Sequence, residues 1–501
     1  MFAFAWMLSA ASSAWAHGGF WRAHQILFTP DDPLRITLRS DVWGMALSHD
    51  GGETWRWICA EPFGRETTTP RRISMAAMPG GAVSAASLGD GLRLLEDDPC
   101  EWREASELAD TLVRGVVQAG DMTLVLTGRS DAGTTTTLLF ASDDGGGSFS
   151  ELATALPAGF VGTHLAVAPG DPERLYATAA SGETLQLARS EDGGDSWSMH
   201  THVVAVGDGQ WEARVLAVNP QDPDMLLVVA DGFEPRGGQL SPDTVYLSTD
   251  GGAGLSMVFG GQGDVPAAAF SPDGTEILIG GIVDGLLGAD SGALASDGSS
   301  ALETRHDSGI YGLTWNEDAL YAGTEEFADG GTGYSVGRSV DGGRSFERLM
   351  SVCDVTAVEC DPDTHGGLVC PALWSDMGMG GGGFKEDFLE TGRCDSGDPA
   401  SDAGDAGAGA SDGGVTAPPA DAGAQGEPDG DDSGGQPPPD PDATRDTNGD
   451  DGCSCAVPGS RAPLRNALPV MISGLWLWAR RRRSAPREAT ARDGAKSPHT
   501  W

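Results

Sequence analysis

Near its amino end the chain reads Ser48-His49-Asp50-Gly51-Gly52-Glu53-Thr54-Trp55. Close copies follow at Ser142 to Phe149, Ser190 to Trp197 and Ser339 to Phe346. A further copy begins at Ser248 and Asp250 and keeps the two glycines but not the aromatic. The spelling S-x-D-G-G-x-[ST]-[WF] has a physical meaning. Ser and Asp carry short side chains that hydrogen-bond nearby backbone N–H groups and hold a turn. Gly51-Gly52 supplies the positive φ of a tight connection. The aromatic opens the next strand and packs the turn down.

The turn also counts the repeats. Its aspartate falls at Asp50, Asp97, Asp144, Asp192, Asp250, Asp290 and Asp341. The second copy has lost its glycines but keeps Trp102, and the sixth keeps little beyond Asp290. A second marker is a turn between two short apolar runs, at Pro30, Pro79, Gly120, Pro169, Pro220, Pro272 and Asn316. Both markers give seven units of about 40–50 residues, the size of a four-stranded propeller blade. In the first unit the runs Gln25 to Phe28, Arg35 to Leu38, Gly44 to Leu47 and Trp55 to Ile58 read as strands. In the fourth they are Leu165 to Ala168, Leu175 to Thr178, Leu185 to Ala188 and Trp197 onward. The expected fold is all-β, a seven-bladed β-propeller over residues 17–352. Each blade is expected to start and finish within its own repeat, with no borrowed strand.

These turns resemble the Asp-box, or bacterial neuraminidase repeat, of sialidase-type propellers. In that family the boxes lie at the rim and are structural. The structural set here is Ser48, Asp50, Gly51, Trp55, Asp97, Trp102, Ser142, Asp144, Phe149, Ser190, Asp192, Trp197, Ser248, Asp250, Ser339, Asp341 and Phe346. The resemblance to a sialidase stops at the boxes. A family sialidase implies an arginine triad, a Tyr nucleophile with a Glu partner, an acid Asp and a Phe-Arg-Ile-Pro-like motif. Pro70-Arg71-Arg72-Ile73 does not match that motif. Of the tyrosines, Tyr176, Tyr246 and Tyr321 sit in apolar strand runs and read as core. Trp55, Trp57, Trp102 and Trp197 read as strand packing rather than a sugar platform. No catalytic residue, metal ligand or cofactor is assigned. A ligand face is expected opposite the boxes, on the loops joining second and third strands. Two of these are long, Ala230 to Thr244 and Thr324 to Tyr334. Phe233, Arg236, Glu325, Glu326 and Phe327 are the candidate contact residues, because long loops on a rigid scaffold carry function.

Charge and cysteine define the setting. The chain has 501 residues, 31 Lys+Arg and 74 Asp+Glu, for a formal net charge of −43. Nucleic acid is excluded as a partner, since phosphate binding needs a basic surface. Residues 1–16 read as an export signal ending at Ala14-Trp15-Ala16. Eight cysteines in an exported chain point to disulfides. Cys353, Cys360, Cys370 and Cys394 cluster in a segment, 353–394, expected to be bridged internally and packed on the last blade. Cys59 and Cys100 are expected to pair across neighbouring blades.

Residues 395–452 read as a disordered acidic stalk, with Asp-Ala-Gly and Pro-Pro-Pro repeats and almost no large apolar residue. Asp446, Asn448 and Asp450 approach a calcium loop, but the glycine falls one position late. Residues 453–483 hold Cys453 and Cys455, a short apolar run from Ala467 to Ala479 and Arg480, Arg481, Arg482 and Arg483. That order resembles the myxobacterial-type C-terminal sorting tag, which implies attachment at the cell surface, with 484–501 as a cytoplasmic tail. The positive-inside rule gives the same orientation. The expectation is a monomeric, non-enzymatic, membrane-anchored surface propeller that binds a protein or polysaccharide. A tethered glycoside hydrolase of the neuraminidase-repeat type and a structural envelope component are the alternatives.

Overall fold

The computed structural model describes residues 21–375, apart from 41–43, 60–73, 87–90, 97, 110, 132–133, 153–155, 158, 205–209, 234–241 and 327–331. The export signal, the stalk, Cys394 and the sorting segment lie outside the described residues, as does Asp97. Among the described residues no helix is long and apolar enough to cross a membrane.

Seven antiparallel sheets follow one another along the chain. Each is an up-and-down run of four consecutive strands, and the chain forms a seven-bladed β-propeller. In the first blade the strands are Ala23–Thr29, Asp32–Ser40, Met45–Ser48 and Trp55–Ile58. In the fourth they are His164–Ala168, Asp171–Ser181, Thr184–Ser190 and Ser198–Val203. Both sets match the apolar runs read from sequence, except that Gly44 and Trp197 fall one residue before the strands they were expected to open.

The first strand of every blade is innermost. Ala23–Thr29, Ser74–Ala77, Leu112–Ala119, His164–Ala168, Gln210–Val218, Ala267–Phe270 and Ile310–Asn316 adjoin in a closed ring, the seventh packing against the first. Small residues let these strands approach. A Cβ on Gly115 would lie 3.1 Å from the Leu165 backbone nitrogen, and one on Gly312 would lie 2.6 Å from the Ala23 carbonyl oxygen. Outside the ring, neighbouring sheets bury aliphatic side chains between them. Leu124, Leu126 and Leu139 of the third blade meet Leu165, Leu175 and Ala177 of the fourth. Strands buried on both faces need apolar residues at successive positions, which is why these segments are rich in Leu, Val and Ala. Tyr176, Tyr246 and Tyr321 are buried, as their apolar surroundings predict.

The Ser-x-Asp-Gly-Gly turns join third to fourth strands. In the first, Ser48 Oγ donates to Asp50 Oδ1 (2.8 Å) and accepts from the Gly52 N–H (2.8 Å). Asp50 accepts from the Thr54 N–H (2.9 Å) and from the Thr54 hydroxyl (2.5 Å). Trp55, 1% exposed, donates its indole N–H to the Gly52 carbonyl (3.0 Å). Gly51 and Gly52 hold φ of 74° and 98°, where a side chain would be strained. The same Ser-to-Asp and Gly-to-Ser bonds recur at Ser142, Ser190, Ser248 and Ser339. Phe149 is buried, and Trp102, Trp197 and Phe346 are half-buried where the fourth strands begin. The sixth turn departs from the pattern. Asp290 caps helix α1 (Ser291–Asp297), accepting from the Ala293 N–H at 2.9 Å.

Three expectations are corrected at the carboxyl end of the propeller. First, a strand is borrowed. Val355–Ala357 pairs in parallel with Trp55, Arg56 and Trp57, adding a fifth strand to the outer edge of the first blade. The propeller sheet therefore continues past residue 352. Second, the described part of the following segment, expected on the last blade, is tied by its disulfides to the first two blades. Its helix α2 (His365–Ser375) carries Cys370. Third, among the described residues the disulfides are Cys59–Cys370 and Cys100–Cys360, so Cys59 and Cys100 do not pair with each other, and Cys360 and Cys370 reach out of the segment rather than bridging within it. Cys353 is also disulfide-bonded. The physical reason is common to all three. The borrowed strand lies beside Trp55–Ile58, so it delivers the later cysteines to the two blades that hold Cys59 and Cys100.

Candidate binding site

The ring of inner strands encloses a central channel. A cavity of about 310 Å³ there is lined by residues of all seven blades, drawn mainly from the beginnings of the inner strands. In an up-and-down blade this is the end shared with the loops between second and third strands, opposite the Ser-x-Asp-Gly-Gly turns.

The lining is basic in an acidic protein. Among the described residues that line it, Glu212 is the one carboxylate beside Arg39, Arg114 and Arg214, with His24 and His164 next to them. Arg39 is 6% exposed and donates its Nε–H to Gln25 Oε1 at 2.9 Å. Arg214 pairs with the buried Asp231 at 3.2 Å. Burial in the wall, and then the Arg214 charge, push His164 well below the ordinary histidine range, so its ring is neutral near pH 7. The ring is only part-buried against solvent in the channel.

Glu325 and Glu326 are held inside the fold. Glu325 accepts from Arg22 Nε (3.0 Å) and from the Tyr311 hydroxyl (2.7 Å) at the seam between first and seventh blades. The Arg22 guanidinium also lies 4.9 Å from the centre of the Tyr311 ring. Glu326, 5% exposed, accepts from the Ser335 hydroxyl (2.6 Å), the Ser351 hydroxyl and the Val352 N–H (2.9 Å). Its burial raises the carboxyl above the usual range, and these donors partly offset the shift. Phe233 ends the second strand of the fifth blade, Leu226–Phe233. Arg236 and Phe327 lie outside the described residues. The structure thus fixes two of the five loop candidates as ties between elements.

The channel residues escaped the loop-based reading because they sit on strands. Their signal is positional. His24 precedes Pro30, Ser74 precedes Pro79, Arg114 precedes Gly120, His164 precedes Pro169 and Arg214 precedes Pro220 by nearly the same step. A polar residue recurring at one offset, inside otherwise apolar inner strands, marks a shared level of the channel. Among the described residues no group of three or more His, Cys, Asp or Glu could hold a metal ion.

No protein family and no curated protein matches the chain. Solved structures share the propeller architecture at low identity. An ancestral GH74 enzyme is 15% identical with a TM-score of 0.40, over 54% of this chain and 38% of that one. The chain therefore spans well under half the length of that enzyme. Kuenenia stuttgartiensis hydrazine synthase is 11% identical with a TM-score of 0.43, over 64% and 96% of the two chains. YCF48 from Cyanidioschyzon merolae is 13% identical with a TM-score of 0.39, over 61% and 96%. These likenesses concern the fold.

Proposed function

We propose that this protein is a non-enzymatic β-propeller, anchored at the cell surface, that presents a binding site for a protein or polysaccharide at the basic end of its central channel. The observation that carries the reading is the channel lining. Three arginines from three blades converge on one cavity in a chain of formal charge −43. Keeping them there costs desolvation, which a structural role alone does not require.

The turns, read as Asp-boxes, supply a rigid scaffold on the opposite face. The export-signal sequence, the acidic stalk composition and the Cys-apolar-Arg order at the carboxyl end support delivery to the surface. The disulfides fit an oxidising compartment. The test is a screen of the full chain on glycan and polysaccharide arrays, with product release assayed on the same panel. Binding without turnover is expected. Release of product would overturn the non-enzymatic reading.

A further inference from the structure

The fifth Ser-x-Asp-Gly-Gly turn differs from its sisters at two positions. In four turns the residue four places after the aspartate donates its hydroxyl to Oδ2: Thr54 to Asp50 at 2.5 Å, Ser148 to Asp144 at 2.8 Å, Ser196 to Asp192 at 2.6 Å and Ser345 to Asp341 at 2.6 Å. In the fifth turn that residue is Gly254, and Leu255 stands where the others have an aromatic. Asp250 Oδ1 still accepts from the Ser248 hydroxyl (2.9 Å) and from the Gly254 N–H (2.8 Å). Among the described residues no hydroxyl reaches Asp250 Oδ2. A Cβ on Gly254 would lie 3.1 Å from that oxygen, and its three nearest neighbours would all be Asp250 atoms. The missing side chain therefore leaves the space beside the carboxylate open.

That space belongs to a groove of about 420 Å³ between the last strand of the fifth blade, Ser256–Gly260, and helix α1, which stands where the sixth turn would be. Asp250, Gly254 and Met257 line it from the fifth blade, Leu294 and Asp297 from the helix. The two departures from the turn pattern thus border one place. Its described lining holds two carboxylates and no basic residue. Against desolvation, the Gly254 N–H and the Ser248 hydroxyl hold the Asp250 carboxyl below the ordinary range, so it is ionised at neutral pH. Within the fold Arg189 bonds the Asp250 carbonyl (3.4 Å) rather than its carboxylate, and His200 acts on the carboxylate through space. Met257 is 58% exposed. An acidic groove with a flexible, exposed apolar side chain suits a cation on a methylene stem. The head pairs with the carboxylate and the stem lies along the thioether.

We propose that this groove takes a lysine or arginine side chain from a basic segment of a partner protein, and that its N–H groups bond Asp250 Oδ2 in the place held by a Ser or Thr hydroxyl in the other turns. Charge complementarity selects this occupant. A neutral sugar can donate hydroxyls to the same oxygen but leaves the charges of Asp250 and Asp297 uncompensated. The groove is separate from the channel site, because the turns lie at the opposite end of the blades. The fifth turn has given up one tie within the fold, and the open oxygen is available to a partner.

The test is a titration of the full chain, followed by saturation-transfer NMR, with acetyl-Ala-Arg-Ala-amide, acetyl-Ala-Lys-Ala-amide, acetyl-Ala-Gln-Ala-amide and methyl glucoside. The Arg and Lys peptides should bind at least about tenfold more tightly than the Gln peptide, one charge-assisted contact being worth that much. Their affinity should fall as salt is raised. Gly254→Ser restores the hydroxyl that Ser148, Ser196 and Ser345 supply in the sister turns. It should lower affinity for both basic peptides about tenfold or more, with a melting temperature no lower than that of the wild type. Asp297→Asn, an exposed change, should lower affinity about two- to fivefold, and it keeps the inference testable should the first variant fail to fold. Equal binding of the Arg and Gln peptides, no binding of either basic peptide, or affinity unchanged in Gly254→Ser would overturn the inference. Methyl glucoside binding that is lost in Gly254→Ser would assign the groove to a neutral sugar and overturn it too. Array binding that persists in Gly254→Ser is independent of this groove, so the channel reading survives the failure of this one.

Discussion

Cys59, just after the last regular strand of the first blade, is bonded to Cys370, 311 residues further along the chain. Cys100 is likewise bonded to Cys360. The two bridges and the parallel strand Val355–Ala357 clasp the carboxyl end of the propeller to its beginning. Cross-linking residues so far apart removes much chain entropy from the unfolded state. Replacing Cys59 and Cys370 together by Ala should lower unfolding free energy by about 2–4 kcal/mol. Guanidinium denaturation of variant and wild type measures this. A midpoint unchanged by the substitution would mean that the strand pairing alone holds the clasp.

The turns carry a separate share of stability. Ser48 is 1% exposed and bonds both Asp50 and the Gly52 N–H. Ser48→Ala leaves those groups without their partner, at a cost of about 1–3 kcal/mol. Ligand binding should not change, because the turn lies at the far end of the blade from the channel residues. Thermal unfolding and a binding titration on the same variant separate the two effects.

The fold was legible because the turn residues are specified by backbone geometry. Positive φ at Gly51 and Gly52, and the Ser48–Asp50 bond, are local requirements that only certain residues meet. Where a local rule is replaced by another, the spelling is lost, as at Asp290, which caps a helix instead. The clasp was not legible. Val355–Ala357 is too short to show alternation, and disulfide partners depend on which edge the strand joins. The site was missed for a similar reason. Glu325 and Glu326 look like loop carboxylates, but Arg22, Tyr311, Ser335 and Val352 draw them inward. The channel arginines look like interruptions of apolar strands until the ring brings them together.

Acid should unlock the turns. Hydrogen bonds from Thr54, Ser148 and Ser345 to Asp50, Asp144 and Asp341 hold those carboxyls at about 2. Asp192 and Asp250 are lowered too; at Asp250 the Gly254 N–H and the Ser248 hydroxyl overcome an opposing desolvation. A carboxyl depressed on folding stabilises the protein above its unfolded value, ~4, and that stability is lost as pH falls through the folded value. Melting temperature should therefore fall steeply between about pH 4 and pH 2. A melting temperature constant over that interval would contradict the hydrogen-bonded role of these aspartates.

Glu326 is the mirror case. Burial raises its carboxyl above the unfolded value, so its contribution is most favourable in acid and declines as pH rises through the folded value. Three donors nonetheless converge on it, and two of them, Ser351 and Val352, lie just before the borrowed strand. Removing the carboxylate leaves those groups buried without an acceptor. Glu326→Ala should cost about 3 kcal/mol or more, about 1 for each donor, and should expose the clasp to faster amide exchange at Val355–Ala357. Glu326→Gln keeps one oxygen for Ser335 and Val352 and turns its amide to Ser351 Oγ, which can accept. It should be tolerated at pH 7 and should flatten the dependence of stability on pH near the carboxyl's titration. Hydrogen exchange and melting curves on the two variants distinguish this tie from a passive buried residue, for which Ala and Gln would behave alike.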